Sequence, residues 1–279
     1  MRGLIPGIRL GQGPPPLTID RIWAYHTRTG SELWSVWSAG QVRYRRALPM
    51  NHEYFARAAW HNTWTEETAW VYGWFLSDGC VSETRASPRM KFDLQRRDRD
   101  VLEKMKSLLR SEHPISNYTI SYTKKCGNLA EASRWQFASS TMAVDLALLG
   151  IVPRKAHIAT FCASLVLPAN ASVVRHAVRG YFEGDGWLLV SGRQWQLGFS
   201  GTLQVMQTIQ RIISRESGLV AKGCVSRVSA VPSTTWKLSY VGNRCVPQLC
   251  TWLYDDARPD CVLARKQWVA MQALAGASD

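Results

Sequence analysis

Two stretches decide the reading of this chain: Val71-Tyr72-Gly73-Trp74-Phe75-Leu76-Ser77-Asp78-Gly79 and Val178-Arg179-Gly180-Tyr181-Phe182-Glu183-Gly184-Asp185-Gly186. Each is the end of an apolar helical pattern that runs into Asp-Gly. In each, a glycine is followed four residues later by a small residue, Gly73 by Ser77 and Gly180 by Gly184. Residues four apart lie on one helix face, one turn apart. A stripe of small side chains lets another backbone come close. If the two stripes meet each other, the helix ends meet as well, and Asp78 and Asp185 sit side by side. One Asp-Gly after an apolar helix reads as a helix stop and turn. The same nine-residue pattern twice, with similar elements after each copy, reads as an internal duplication.

The elements around the motifs repeat. Helices are expected over Glu67–Ser77 and Ser172–Gly184. Strands follow at Cys80–Thr84 and Met90–Gln95 in the first half, and at Trp187–Val190 and Trp195–Ser200 in the second. Ser191-Gly192-Arg193 reads as the hairpin turn of the second pair. Apolar residues at helical spacing predict helices over Arg97–Arg110 and Thr202–Glu216. Further strands are expected near Tyr118–Thr123, Arg134–Ala138, Gly223–Val228 and Thr235–Val241, then helices at Thr141–Leu149 and Cys245–Tyr254. A last helix is expected near Cys261–Leu274. The chain thus divides into a Gly-, Pro- and Arg-rich extension over residues 1–50, partly ordered with short strands around Ile22–Val42, a first half over 51–152, and a second half over 153–279 that includes the linker.

Composition limits the function classes. A chain of 279 residues with 46% hydrophobic content can bury a substantial core. It contains no apolar run of the roughly 20 residues that a membrane span needs. The net charge of +13 fits a polyanionic partner, of which nucleic acid is the usual one. The seven cysteines are odd in number and form no C-x-x-C pair, so neither a disulfide framework nor a zinc ribbon is indicated. Free thiols point to a reducing, intracellular setting, cytoplasm or nucleoid. Residues 1–19 contain Arg and no acid, which leaves an organelle address open.

Two adjacent carboxylates repel unless a cation lies between them. A hard divalent ion such as Mg²⁺ binds through one or two carboxylates with water and phosphate oxygens. Such a pair suits phosphodiester hydrolysis. Strands present candidate base- and phosphate-contacting residues: Arg85, Arg89, Lys91, Gln95, Lys124, Lys125 and Arg134 in the first half, and Arg193, Gln194, Gln196, Lys222, Arg227 and Lys237 in the second. A two-stranded ribbon fits the major groove, and alternation along a strand sends one set of side chains there.

Both nine-residue segments resemble LAGLIDADG motifs, and the chain from about Tyr54 to Gln267 resembles the single-chain, two-motif homing endonucleases. Leu149-Gly150-Ile151 with Arg154-Lys155, and Leu263-Ala264-Arg265-Lys266, add to the resemblance. It implies an α+β fold, two pseudo-symmetric αββαββα halves forming a saddle of antiparallel sheets along the major groove, with the motif helices at their interface. It implies a monomeric, site-specific double-stranded DNA endonuclease with a long asymmetric target. Asp78 and Asp185 would be the catalytic metal ligands, with Gly79 and Gly186 in the metal site. The metal would be Mg²⁺, or Mn²⁺ in its place, with Ca²⁺ supporting binding without cleavage. The alternatives on the same fold are an intron RNA maturase and a non-cleaving DNA-binding protein. Leu76 departs from the acid usual in first motifs, whereas Glu183 keeps it in the second. Thr141, Gly242 and Asn243 stand near the place of a basic residue that some members carry, and Lys237 is a weaker candidate for that role.

Overall fold

Thr65 opens the first motif helix: its backbone is extended and its hydroxyl accepts from the amide of Thr68. Glu66 and Glu67 in the first turn face the positive end of the helix dipole. In this computed structural model, which describes residues 35–38, 41–44, 48–82, 88–121, 129–153, 166–219, 224–227 and 235–276, that helix is α2 (Glu66–Leu76). A short hairpin, β1 (Ser35–Ser38) with β2 (Gln41–Tyr44), and α1 (Ala56–His61) come before it. Then follow β3 (Cys80–Ser82), β4 (Arg89–Gln95), α3 (Arg99–Leu108), β5 (Ile115–Ser121), β6 (Leu129–Ala138) and α4 (Ser140–Leu148). The second half runs α5 (Ala171–Asp185), β7 (Gly186–Ser191), β8 (Gln194–Gly201), α6 (Leu203–Glu216), β9 (Cys224–Arg227), β10 (Trp236–Val241), α7 (Cys245–Tyr254) and α8 (Ala264–Ala275).

Each half holds one four-stranded antiparallel sheet, ordered β3-β4-β6-β5 and β7-β8-β10-β9. The order is the same in both, so the duplication read in the sequence is a duplication of topology. Period-2 alternation gives each sheet an inner face. Met90, Phe92, Trp135 and Phe137 line it in the first sheet, and Leu197, Phe199, Leu238 and Tyr240 in the second; all are buried. Val101, Leu102 and Met105 of α3, and Val205, Met206, Ile209 and Ile213 of α6, join the same continuous core. Burial of such side chains stabilises by roughly 1.5–3 kcal/mol each.

The element order matches the sequence expectation, with differences at edges. Helix α1 is not foreseen by the pattern, because six residues carry too little periodicity. The helix expected over Arg97–Arg110 is a 3₁₀ turn (Arg96–Asp98) followed by α3. The last helix begins at Ala264, after a second 3₁₀ turn at Pro259–Cys261. Among the described residues no helix is long and apolar enough to cross a membrane. Cys80, Cys245, Cys250 and Cys261 are free thiols.

Candidate functional site

Helices α2 and α5 meet along their small-residue stripes. A Cβ added to Gly73 would lie 2.2 Å from the Ala177 carbonyl oxygen, and one added to Gly180 would lie 2.2 Å from the Trp70 carbonyl oxygen. One turn further on, a Cβ at Gly184 would lie 2.1 Å from Ser77 Oγ. Contacts advance together along both helices, so the pair is parallel and the two Asp-Gly ends lie together. The interface carries one buried acid: Glu183, whose carboxylate accepts from Trp70 Nε1 at 2.7 Å. Burial pushes the Glu183 pKa up. Arg179, fully buried, donates to the carbonyls of Cys261 and Leu253 and to Glu66, tying α5 to the segment after α7.

Asp185 is the last residue of α5 and is exposed; Asp78 stands two residues beyond α2 and is half-buried. Asp78 Oδ2 is 2.5 Å from where a Gly184 Cβ would be, so this carboxylate lies against the opposite motif. The Asp-Gly glycines do not serve as left-handed stops. Neither Gly79 nor Gly186 has a positive φ. A Cβ at Gly79 would lie 2.6 Å from Phe75 Cα, and one at Gly186 would lie 2.3 Å from the Phe182 ring. The chain leaves each helix by passing tightly beneath the phenylalanine of the previous turn, and only a residue without a side chain fits.

Lys266 of α8, named in the sequence only as part of a flanking match, is buried behind this site. Its Nζ donates to the carbonyls of Phe182 (2.7 Å), Gly184 (3.5 Å) and Gly186 (2.6 Å). It therefore adds a second donor to the Phe182 carbonyl, which also accepts from the Gly186 amide, and holds the turn from α5 into β7. Burial and the neighbouring Arg265 push its pKa down to about 8, and Glu183 and Asp78 pull the other way. The Gly186 carbonyl thus gives one of its acceptor directions to the protein. Among the described residues no cluster of three His, Cys, Asp or Glu could hold a metal unaided. A pair of oxygen donors at an accessible position still fits a Mg²⁺-type ion, which keeps waters and takes phosphate oxygens for the rest of its shell.

The open faces of the sheets carry the other candidates. On the first, Arg89, Lys91, Asp93 and Gln95 of β4 alternate with buried Met90, Phe92 and Leu94. Arg134 lies directly across from Asp93 and donates to it from Nε at 2.6 Å; its guanidinium stacks over Tyr118 at 4.7 Å. Lys91 pairs with the same carboxylate at 2.8 Å. Burial works against the ionised Asp93, but hydrogen bonds from Arg134, Lys91 and Tyr118 outweigh it and hold its pKa low. Asp93 and Tyr118 fall outside a reading limited to basic residues; the alternation of β4 is the signal that points to Asp93.

On the second sheet, Gln194 and Gln196 belong to the open face and Arg193 sits exposed in the hairpin turn. Lys237 places Nζ over the Trp187 ring at 5.5 Å, and Trp187 lies across Gly198, where a Cβ would be 2.2 Å from the ring. Asn243 braces the hairpin: it accepts from the Trp195 amide and donates to the Arg193 carbonyl. Thr141 is exposed on α4. Arg227 ends β9 opposite Trp236. Arg85, Lys124, Lys125 and Lys222, with Arg154 and Lys155, lie outside the described residues.

No protein-family model and no curated protein matches the chain. Solved structures do. The homing endonuclease I-WcaI bound to its DNA recognition sequence aligns with a TM-score of 0.52 at 10% identity, over 76% of this chain and 91% of that one. A point mutant of I-SmaMI gives a TM-score of 0.47 at 11% identity, over 76% of this chain and 92% of that one. Full-length DUF199/WhiA from Thermatoga maritima gives 0.41 at 11% identity, over 83% of this chain and 67% of that one.

Proposed function

We propose that this chain, which has the fold of the LAGLIDADG homing endonucleases, binds double-stranded DNA along the open faces of its two sheets and cuts it at the paired motif ends. The observation that carries the proposal is the parallel α2–α5 contact, which puts the Asp78 carboxylate against the second motif, the one that ends in Asp185. A protein that only bound DNA would have no use for two acids there, since bare carboxylates repel both each other and phosphate.

In this reading Asp78 and Asp185 hold Mg²⁺, or Mn²⁺ in its place, and Ca²⁺ supports binding without cleavage. Bound there, the cation supplies Lewis-acid polarisation of the phosphodiester and activation of water. The chain's own residues orient the substrate. Arg89, Lys91 and Arg134 on the first sheet, and Arg193 and Lys237 on the second, neutralise phosphates or read base edges. The Gly73–Gly180 contact fixes the distance between the two acids, and Lys266 pins the α5 end that carries Asp185. Because one chain holds both unlike halves, a monomer reads a long asymmetric site.

The test is selection of bound duplexes from a random-sequence library, followed by incubation of the enriched duplex with Mg²⁺. A specific double-strand cut is expected, abolished in Asp78→Asn and in Asp185→Asn while binding is retained. Full cleavage by both variants would remove the acids from the mechanism. Tight binding with no cut by the wild type would make the chain a non-cleaving binder of the same fold.

A further inference from the structure

The open face of the second sheet differs in chemistry from that of the first. The first presents Arg89, Lys91, Asp93 and Arg134. The second presents a row that crosses three strands in direct register: Leu189 of β7 opposite Gln196 of β8, and Gln196 opposite Val241 of β10. Directly paired residues point to the same side of a sheet. Leu189 is 43% exposed and Val241 is 48% exposed. The register is not slipped, because Leu197 and Tyr240, the neighbours of Gln196 and Val241, are fully buried on the other face, although Val190 after Leu189 is itself 54% exposed near the end of β7. Two aliphatic side chains left in water around one glutamine gain nothing from solvent.

Continuity with the polar part of the face narrows what covers the row. Gln194 and Arg193 follow it toward the hairpin, Lys237 reaches over the ring of Trp187 in the next row, and the chain carries a net charge of +13. The covering surface is therefore anionic at its rim, with apolar groups beside paired donors and acceptors at its centre. The major-groove edge of an A·T pair has that combination: adenine N6 donates to a glutamine Oε1 while N7 accepts from its Nε2, and thymine presents a 5-methyl group. A G·C pair has no methyl. Neighbouring strands lie about 4.8 Å apart, so Leu189 and Val241 stand roughly 10 Å apart on either side of Gln196, a span of about three base steps of ~3.4 Å.

Building on the DNA-binding reading, we propose that the Leu189–Gln196–Val241 row reads A·T base pairs, with Gln196 on adenine and the aliphatic side chains on thymine methyl groups. The half-site under the second sheet is then A·T at the positions this row meets.

The experiment uses the full chain. Duplexes selected from a random library are compared for the wild type, Gln196→Arg, and the double variant Leu189→Ser with Val241→Ser; unchanged circular dichroism checks that the exposed substitutions leave the fold intact. The wild type should enrich A·T at one or two adjacent positions, and Gln196→Arg should change an A to a G there. Replacing thymine by deoxyuridine at those positions should weaken wild-type binding about fourfold per methyl lost, and should not affect the double variant. Enrichment in which the wild type binds thymine and deoxyuridine duplexes equally, or in which Gln196→Arg leaves the base preference unmoved, overturns this inference alone. Failure to enrich any duplex overturns the DNA reading and the inference with it, and points to a protein on this face.

Discussion

Gly180→Ala tests the contact on which the site depends. The added Cβ would lie 2.2 Å from the Trp70 carbonyl oxygen and 3.1 Å from Gly73 Cα. Both are backbone atoms of a rigid helix, so no rotamer change relieves the clash. Restoring ordinary contact requires α2 and α5 to separate by about 1 Å, which loosens the Trp70, Trp74 and Phe182 packing around them. Overpacking of this kind costs about 1–3 kcal/mol, and a full interface shift belongs at the upper end. Alanine regains roughly 0.5–1 kcal/mol through helix propensity. The net expectation is a loss of about 2 kcal/mol in urea unfolding. Gly276→Ala is the control, because its Cβ would meet nothing closer than 3.6 Å. Its stability should stay within about 0.5 kcal/mol of wild type. If Gly180→Ala proves as stable as this control, the close helix contact is not what sets the spacing of Asp78 and Asp185, and the argument from the small-residue stripe fails.

Three further outcomes follow from the same geometry. Burial, and then the charges of Arg179 and Arg175, depress the His176 pKa to about 3, although Glu66 Oε1 lies 3.4 Å from its ring. Between pH 3 and 6.5 the unfolded chain therefore binds more protons than the folded one, and stability should fall as pH drops through that window, by up to ~1 kcal/mol per unit; His176→Gln should flatten the dependence, and identical slopes for the two proteins would refute the assignment. Asp98 accepts from Arg265 at 2.5 and 2.8 Å, a bond between the start of α3 and the last helix. Asp98→Ala should cost about 1–2 kcal/mol in denaturant unfolding, discounted because Arg265 is partly exposed; a neutral result would show that the pair adds nothing. Lys91→Ala should lower the slope of log binding constant against log salt by about 1 if Lys91 meets a phosphate, and an unchanged slope would take it out of the interface.

Features that depend on near neighbours are legible in the chain alone. The repeated Gly-x-x-x-small, Asp-Gly pattern announced two halves and a shared helix interface. Alternation along a strand implies two faces, and in β4 it separates buried Met90, Phe92 and Leu94 from the open-face residues between them. The starts of four helices are legible to within a residue, since Thr65, Ser139, Asn170 and Thr202 cap them through contacts two or three residues away, whereas the last helix starts three residues after Cys261. Other features arise from contacts between distant segments. Asp98 is a favourable cap residue by type, yet it makes no capping bond, because both carboxylate oxygens go to Arg265 in the last helix. Lys266 is legible only as part of a flanking match; its burial and its bonds to the Phe182 and Gly186 carbonyls at the turn from α5 into β7 come from packing. The Asp-Gly steps read as turn glycines, but packing beneath Phe75 and Phe182 is what excludes a side chain there. Local signals act over one helical turn or one strand pair. The distance between Asp78 and Asp185, and the charge placed behind them, arise only when chain segments far apart in sequence pack together.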